Sequence, residues 1–180
     1  MVSIPINDDL LLRSYVPEDA PALFQAIHKS RKHLRPWLNW VDTTTKEEHS
    51  LEFIRQSLAA QHNQEAIALG IFLNGQIIGG IGMHYWDHYL RIVHIGYWIN
   101  KEHEGKGIIS ASCRHFFSFV FDKLNINKIE LHFLPGNKRS AAVAERLGCK
   151  IEGVIRQSIM INGTLQDVVI AGLLKSEWNK

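Results

Sequence analysis

At 180 residues, with 46% hydrophobic and 21% charged, the chain has the size and composition of a single globular domain, 1–180, with a full core. A formal net charge of +2 supplies no strong general attraction to nucleic acid or to a membrane surface. No apolar run approaches the ~18 residues of a spanning helix, and Met1 to Asp9 lacks the charged and long apolar regions of a secretory leader. Cys113 and Cys149 have no CxxC spacing, which points to a reducing, cytoplasmic setting, and their apolar neighbours make them packing groups.

In chain order, Leu10 to Tyr15 reads as a first strand. Pro17-Glu18-Asp19 opens a helix, because proline and acids suit a first turn. Ala20, Leu23, Phe24 and Ile27 then share one face of it. Lys29 to Thr44 has no clear period, yet contains Trp37, Leu38 and Trp40, an unusual content for a plain solvent loop. Thr45 to Glu48 has capping-box spacing, with Thr45 as N-cap, and Leu51, Ile54 and Leu58 stripe the helix that follows.

The period then changes. Ala66 to Leu73 and Gln76 to Met83 are two apolar strands around Asn74-Gly75, a dipeptide suited to a type I′ turn because both central residues need positive φ. His84 to His88 reads as a turn holding two histidines and an aspartate. Zinc would need three or four ligands at fixed distances, and no further cluster stands nearby in sequence. Arg91 to Ile99 is a third strand of this run. The next helix carries Ile109, Cys113, Phe116, Val120 and Leu124 on one stripe. Asn127 to Leu134 is a strand, broken by Pro135-Gly136. Asn137 is a good N-cap for a short helix marked by Ser140, Val143, Ala144 and Leu147, and Gly148 suits its C′ position. Ile151 to Ile161 and Thr164 to Leu174 form a second hairpin around Asn162-Gly163.

The order is β-α-α-β-β-β-α-β-α-β-β. The strands within 66–99 form a meander, and the strand–helix–strand unit of 92–134 must cross over, so its strands are parallel. An α/β (α+β) domain follows, with a mixed, mostly antiparallel sheet of about seven strands flanked by about four helices.

The run from His94 to Ser118 is the most informative for chemistry. An apolar strand enters the loop Glu104-Gly105-Lys106-Gly107-Ile108-Ile109-Ser110, which opens a helix. Glycine backbone at a helix N-terminus turns N–H groups outward at the positive end of the dipole, which makes an anion site, most simply for phosphate. A nucleotide fingerprint is excluded: the GxGxxG frame fails at Ser110 and no GxxxxGK[ST] occurs.

This order resembles the GNAT superfamily of acyl-CoA-dependent N-acyltransferases. Its loop signature is Gln or Arg, two residues, Gly, one residue, then Gly or Ala. Here Gly107 matches, while Glu104 and Ile109 depart at the two ends. Further segments are similar to the Rim-type branch, which contains enzymes that acetylate ribosomal-protein N-termini: His33 to Trp40, Ile95 to Trp98, Gly105 to Ser110, Asn137 to Ser140, Leu147 to Cys149, Glu152-Gly153, Asp167 and Glu177-Trp178.

The resemblance implies acetyl-CoA as co-substrate, no metal, and an amine acceptor such as a ribosomal-protein N-terminus. It is compatible with a homodimer. It also implies a V-shaped cleft between the family's strands four and five, here 91–99 and 127–134. Loop residues Glu104 to Ser110 would then hold the pyrophosphate by backbone N–H groups, with Lys106 adding a charge. The backbones of Tyr97, Trp98 and Ile99 would pair with the pantetheine amides, as an added strand does. For the side chains of Tyr97 and Trp98, core packing is the favoured reading. Asn137, a helix cap by sequence, is also a candidate catalytic and coenzyme-binding residue, and Ser140 at the N3 position is the candidate acid for the departing thiolate. The family's strand-four glutamate is replaced by His94, and the glutamate some Rim-type enzymes carry before the final Asn-Gly turn is replaced by Ile159. His94, whose ordinary pKa is ~6.5, could take a proton directly or through water, although a satisfied structural histidine is the plainer reading. Trp37, Trp40, His84 and Trp86 would line the acceptor entrance.

An α-amine, with pKa about 7.7–8, is roughly a tenth neutral at pH 7, against about four parts in ten thousand for lysine. A site without a firm carboxylate base therefore suits an N-terminus better than a lysine. Alternatives are a small-molecule N-acetyltransferase acting on a polyamine, an antibiotic or an amino-acid analogue, and a module that binds acyl-CoA without turnover.

Overall fold

A mixed eight-stranded sheet forms the frame of the computed structural model, which describes residues 1–178. The strands are β1 (Ser3–Pro5), β2 (Leu10–Ser14), β3 (Ile67–Leu73), β4 (Gln76–Asp87), β5 (Ile92–Ile99), β6 (Lys128–Phe133), β7 (Lys150–Ile161) and β8 (Thr164–Leu174). The α-helices are α1 (Ala20–Leu34), α2 (Glu47–His62), α3 (Ile108–Lys123) and α4 (Lys138–Arg146). The spatial order is β1-β2-β3-β4-β5-β6-β8-β7.

Every pairing is antiparallel except β5 with β6. The crossover through α3 dictates that exception, as expected from sequence. One strand more than expected is present. β1 is a three-residue edge strand pairing Ser3–Pro5 with Leu11–Arg13, too short for a periodic signal. The last hairpin enters the sheet with β8, not β7, against β6.

Helices cover both faces. α1 and α2 pack on β4 and β3 around Leu23, Ile27, Ile54 and Phe72, and α3 and α4 pack on the other face around Phe116, Phe117, Val120 and Val143. β4 is accordingly buried without interruption from Ile77 to Met83, the pattern of a strand covered twice. Both Asn-Gly turns adopt the expected geometry, with φ of 49° and 78° at Asn74 and Gly75, and 49° and 76° at Asn162 and Gly163.

Three local expectations need correction. α1 runs to Leu34, so the aperiodic segment is shorter than the sequence suggested, and it contains a 3-10 turn at Asn39–Asp42. Thr45 does not cap α2. The N-cap is Lys46, and the Thr45 N–H donates to His49 Nδ1 at 3.2 Å instead. His84 and Trp86 do not lie in a turn, because β4 continues through them to Asp87.

Candidate active site

The parallel ladder between β5 and β6 stops early. It pairs Ile92 with Lys128, Val93 with Ile129, His94 with Glu130 and Ile95 with Leu131, and goes no further. β5 continues to Ile99 along β4, while β6 continues to Phe133 along β8. The two strands thus part beyond Ile95 and Leu131. The V-shaped cleft expected between the family's strands four and five lies here, in the fifth and sixth strands of this chain. Among the described residues, backbone groups of Gly96 to Ile99 that point away from β4 have no strand partner across the gap, and such groups require one from elsewhere.

A cavity of about 1550 Å³ occupies the opening. It exceeds the ~300–1,000 Å³ of an ordinary small-molecule site, which leaves room for two reactants. Its lining includes Gly96 to Ile99 of β5, the loop residues Glu104, Gly105 and Gly107 to Ser110, and Asn137 and Ser140 at the start of α4.

Side chains of β5 alternate between the faces of the sheet. Tyr97 points to the α3–α4 side, and His94, Gly96 and Trp98 to the α1–α2 side. On the first side the loop turns sharply. Gly105 has φ of 72°, and Gly107, the N-cap of α3, has φ of 75°. A Cβ at either would meet open space, so the glycines serve conformation rather than room. The N–H groups of Ile108, Ile109 and Ser110 head α3 without intrahelical acceptors.

Two arginines of α4 reach this region. Arg146 Nη1 donates to Ser110 Oγ at 2.6 Å. Arg139 forms an ion pair with Glu104 at 2.7 Å, and His33 of α1 approaches the same carboxylate at 2.8 Å. Glu104 is therefore an anchor between three elements rather than a free anion contact. Lys106 projects into solvent and does not line the cavity.

Asn137 caps α4 as expected, its Oδ1 accepting from the Ser140 N–H at 3.1 Å. The Ser140 side chain lies near the Tyr97 phenol, whose pKa burial drives far above its ordinary value. Tyr97 keeps its proton beside Ser140. The reading of Tyr97 as a core aromatic is thus half of its role, since it packs on the core and also lines the cavity. Cys113 is buried, with its thiol pKa raised by that burial, and Cys149 is pushed up to about 12 by burial. Both are inert thiols, as packing groups should be.

The other face holds aromatic and imidazole groups. Trp98 packs edge-on to Trp40 at 6.1 Å between ring centroids, and its indole lies over Gly80, where a Cβ would meet Nε1 at 2.5 Å. Trp37 and Trp40 line the cavity. A bulge between Met83 and Tyr85 breaks the β4–β5 register. It puts His84 over Gly96, where a Cβ would come within 2.7 Å of the ring, and stacks Tyr85 on His94 at 4.5 Å. Trp86 is not part of the lining. It packs against the core and stacks on His88 at 4.6 Å, because the strand resumes its alternation after the bulge.

His94 faces the cleft, half-buried, with Nε2 3.2 Å from Glu130 Oε2. Burial, and then the nearby His132, lower its pKa, while Glu130 pulls it upward. The net direction keeps His94 neutral at pH 7. His84 retains surface open to the cleft, but protein crowds it on most sides. That burial, together with His132, lowers its pKa as well.

Glu130 and His132 were not singled out from sequence, although a signal existed. Lys128 to Phe133 alternates polar and apolar strictly, which gives a central strand one polar face. The ligand atoms of His94, Glu130 and His132 lie within 4.8 Å of one another, a spread a divalent ion could bridge. The ammonium of Lys128, 2.8 Å from Glu130 Oε1, already neutralises that carboxylate and opposes a second cation. Arg139 and Arg146 were also missed; their seven-residue spacing places both on one face of α4.

Known proteins agree with this architecture. Residues 9–150 match the family described as Acetyltransferase (GNAT) domain. YdaF of Bacillus subtilis (strain 168), provisionally named a ribosomal N-acetyltransferase, is 34% identical over 179 residues, 99% of this chain and 98% of that protein. The ribosomal-protein-serine acetyltransferase of Escherichia coli (strain K12) is 25% identical over 166 residues, 92% of this chain and 93% of the other. The microcin C7 self-immunity acetyltransferase MccE, solved with acetyl-CoA and AMP, superposes with a TM-score of 0.90 at 26% identity, covering 94% of each chain. Among the described residues no helix is long and apolar enough to cross a membrane. The parted parallel strands, the glycine loop heading α3 and the match over 9–150 agree, and the chain belongs to the GNAT acetyltransferase family.

Proposed function

We propose that this protein moves the acetyl group of acetyl-CoA to a primary amine by direct attack, and that the amine is the N-terminus of a protein of the ribosomal kind. The observation that carries this reading is the end of β5–β6 pairing at Ile95 and Leu131, inside one cavity that also holds the start of α3. The residues present suit the coenzyme. N–H groups of Ile108, Ile109 and Ser110 would take a diphosphate, each charge-assisted bond contributing ~1.5–3 kcal/mol, with the Arg146 guanidinium beside them. Unpaired backbone of Gly96 to Ile99 would take the amides of the pantetheine arm, and one such N–H would steady the developing oxyanion.

Each face of the sheet then does one half of the proton chemistry. On the α1–α2 side, His94 accepts the proton that the amine loses as its nitrogen bonds to the acyl carbon. On the α3–α4 side, the C–S bond breaks and Ser140 donates a proton to the sulfur, with the protonated Tyr97 phenol nearby. Trp37, Trp40, Trp98 and His84 shape the acceptor mouth. Similarity to a ribosomal-protein-serine acetyltransferase supports the N-terminal acceptor. A second reading, a polyamine acceptor, is favoured by 32% identity over 44% of this chain to the spermidine N(1)-acetyltransferase of Vibrio cholerae serotype O1.

Incubation with acetyl-CoA and a panel of peptides, lysine derivatives, spermidine and aminoglycosides, read by mass spectrometry, tests the assignment. The expected product is an Nα-acetylated peptide. Preference for spermidine overturns the acceptor, and coenzyme binding with no transfer to any amine overturns the enzyme. Ser140→Ala is expected to lower kcat by ~10²-fold or less, since a thiol of pKa near ~8.5 leaves fairly well unprotonated and Tyr97 remains beside it. Unchanged kcat with weaker coenzyme binding would move Ser140 from acid to contact residue.

A further inference from the structure

His94 does not meet the cleft alone. Glu130 Oε2 is 3.2 Å from His94 Nε2 and 2.9 Å from His132 Nε2. The two imidazole rings lie 4.2 Å apart between centroids. Parallel register produces this arrangement. His94 stands opposite Glu130, and His132 follows Glu130 on the same face just where the ladder has ended. The other carboxylate oxygen is held by Lys128 at 2.8 Å, and Lys128 is in turn paired with Glu152 of β7. From β4, Tyr85 stacks on His94, and His84 lies over Gly96, two residues along β5.

We propose that Glu130 and His132 are positioning residues that set the basicity of His94, because one carboxylate oxygen is shared between two imidazole rings that compete for it. The proposal rests on the reading of His94 as proton acceptor. A neutral imidazole has one N–H and one lone pair. A carboxylate that accepts from both Nε2 atoms holds each ring in the tautomer whose Nδ1 is free to take a proton. The imidazolium formed when His94 takes the amine's proton is attracted by Glu130 and disfavoured by a charged His132. Glu130 stays ionised throughout. Its burial works against ionisation, but the hydrogen bonds from Lys128 and His132 outweigh that and lower its pKa. His132 is the exposed member of the set.

Two neutral substitutions separate the two influences. Glu130→Gln removes the attraction, so the acidic limb of the kcat–pH profile moves to lower pH, and kcat at pH 7 falls roughly 10-fold. His132→Gln keeps a donor for Glu130 but removes the competing charge, so the limb moves to higher pH. Ring-proton NMR titration of His94 in the resting protein and both variants is the companion measurement, and it needs no turnover. Opposite displacements of the His94 titration are expected. No displacement, or displacement of both variants in one direction, overturns the proposal. If the ring titrations respond but the kcat limb does not, the coupling stands and the assignment of His94 as acceptor fails.

Discussion

His94→Ala is expected to lower kcat by ~10²–10⁴-fold, the range of a positioned general base. The coenzyme dissociation constant should change by no more than about two-fold, because His94 is on the α1–α2 face while the loop and Tyr97 serve the opposite side. The pH profile should change with it. His94 has a pKa below the ordinary imidazole value, so the intact protein loses kcat only as pH falls through that lowered value and holds a plateau above it. The variant should lose that acidic limb. Steady-state thiol release across pH, with calorimetric titration of coenzyme, makes the comparison. Retention of most of kcat together with the limb would assign the amine's proton to solvent water.

Phe117→Ala is expected to destabilise the fold by ~3–5 kcal/mol, the usual cost of removing a fully buried phenylalanine. Phe117 has no exposed surface and packs with Trp178 at 5.7 Å between centroids. For a chain of this length each kcal/mol corresponds to about 2–4 °C, so Tm should fall by roughly 6–20 °C. Below the transition the coenzyme affinity should survive, since Gly107 lies nearly three helical turns from the cavity so created. A fall of less than about 3 °C in calorimetry would mean that the space collapses on deletion.

The legible parts of this protein were those with short-range causes. The Asn74-Gly75 and Asn162-Gly163 turns, the Asn137 cap and the α3 stripe each depend on residues a few positions apart, and each is present in the structure. The parallel pair was legible too, because strand–helix–strand connectivity leaves little choice of direction. Thr45 shows the limit. Its capping-box spacing is real, but His49 takes the Thr45 N–H and the helix starts one residue later. Trp86 shows another, since a single bulge after Met83 decides which of His84, Tyr85 and Trp86 faces the cleft, and no period in sequence announces it.

Composition, turn chemistry and periodicity determined by themselves a mixed sheet with helices on both faces and a glycine loop opening a helix. The resemblance to the GNAT superfamily, rather than any of these, marked Ser140 and His94 as candidate positions for the chemistry. Tertiary structure alone decided that β5 and β6 part after Ile95 and Leu131, that Arg146 reaches Ser110, and that Glu130 joins His94 to His132. The physical reason is range: a cap or a turn is settled by neighbours along the backbone, whereas a shared carboxylate depends on the register of strands brought together only when the whole sheet closes.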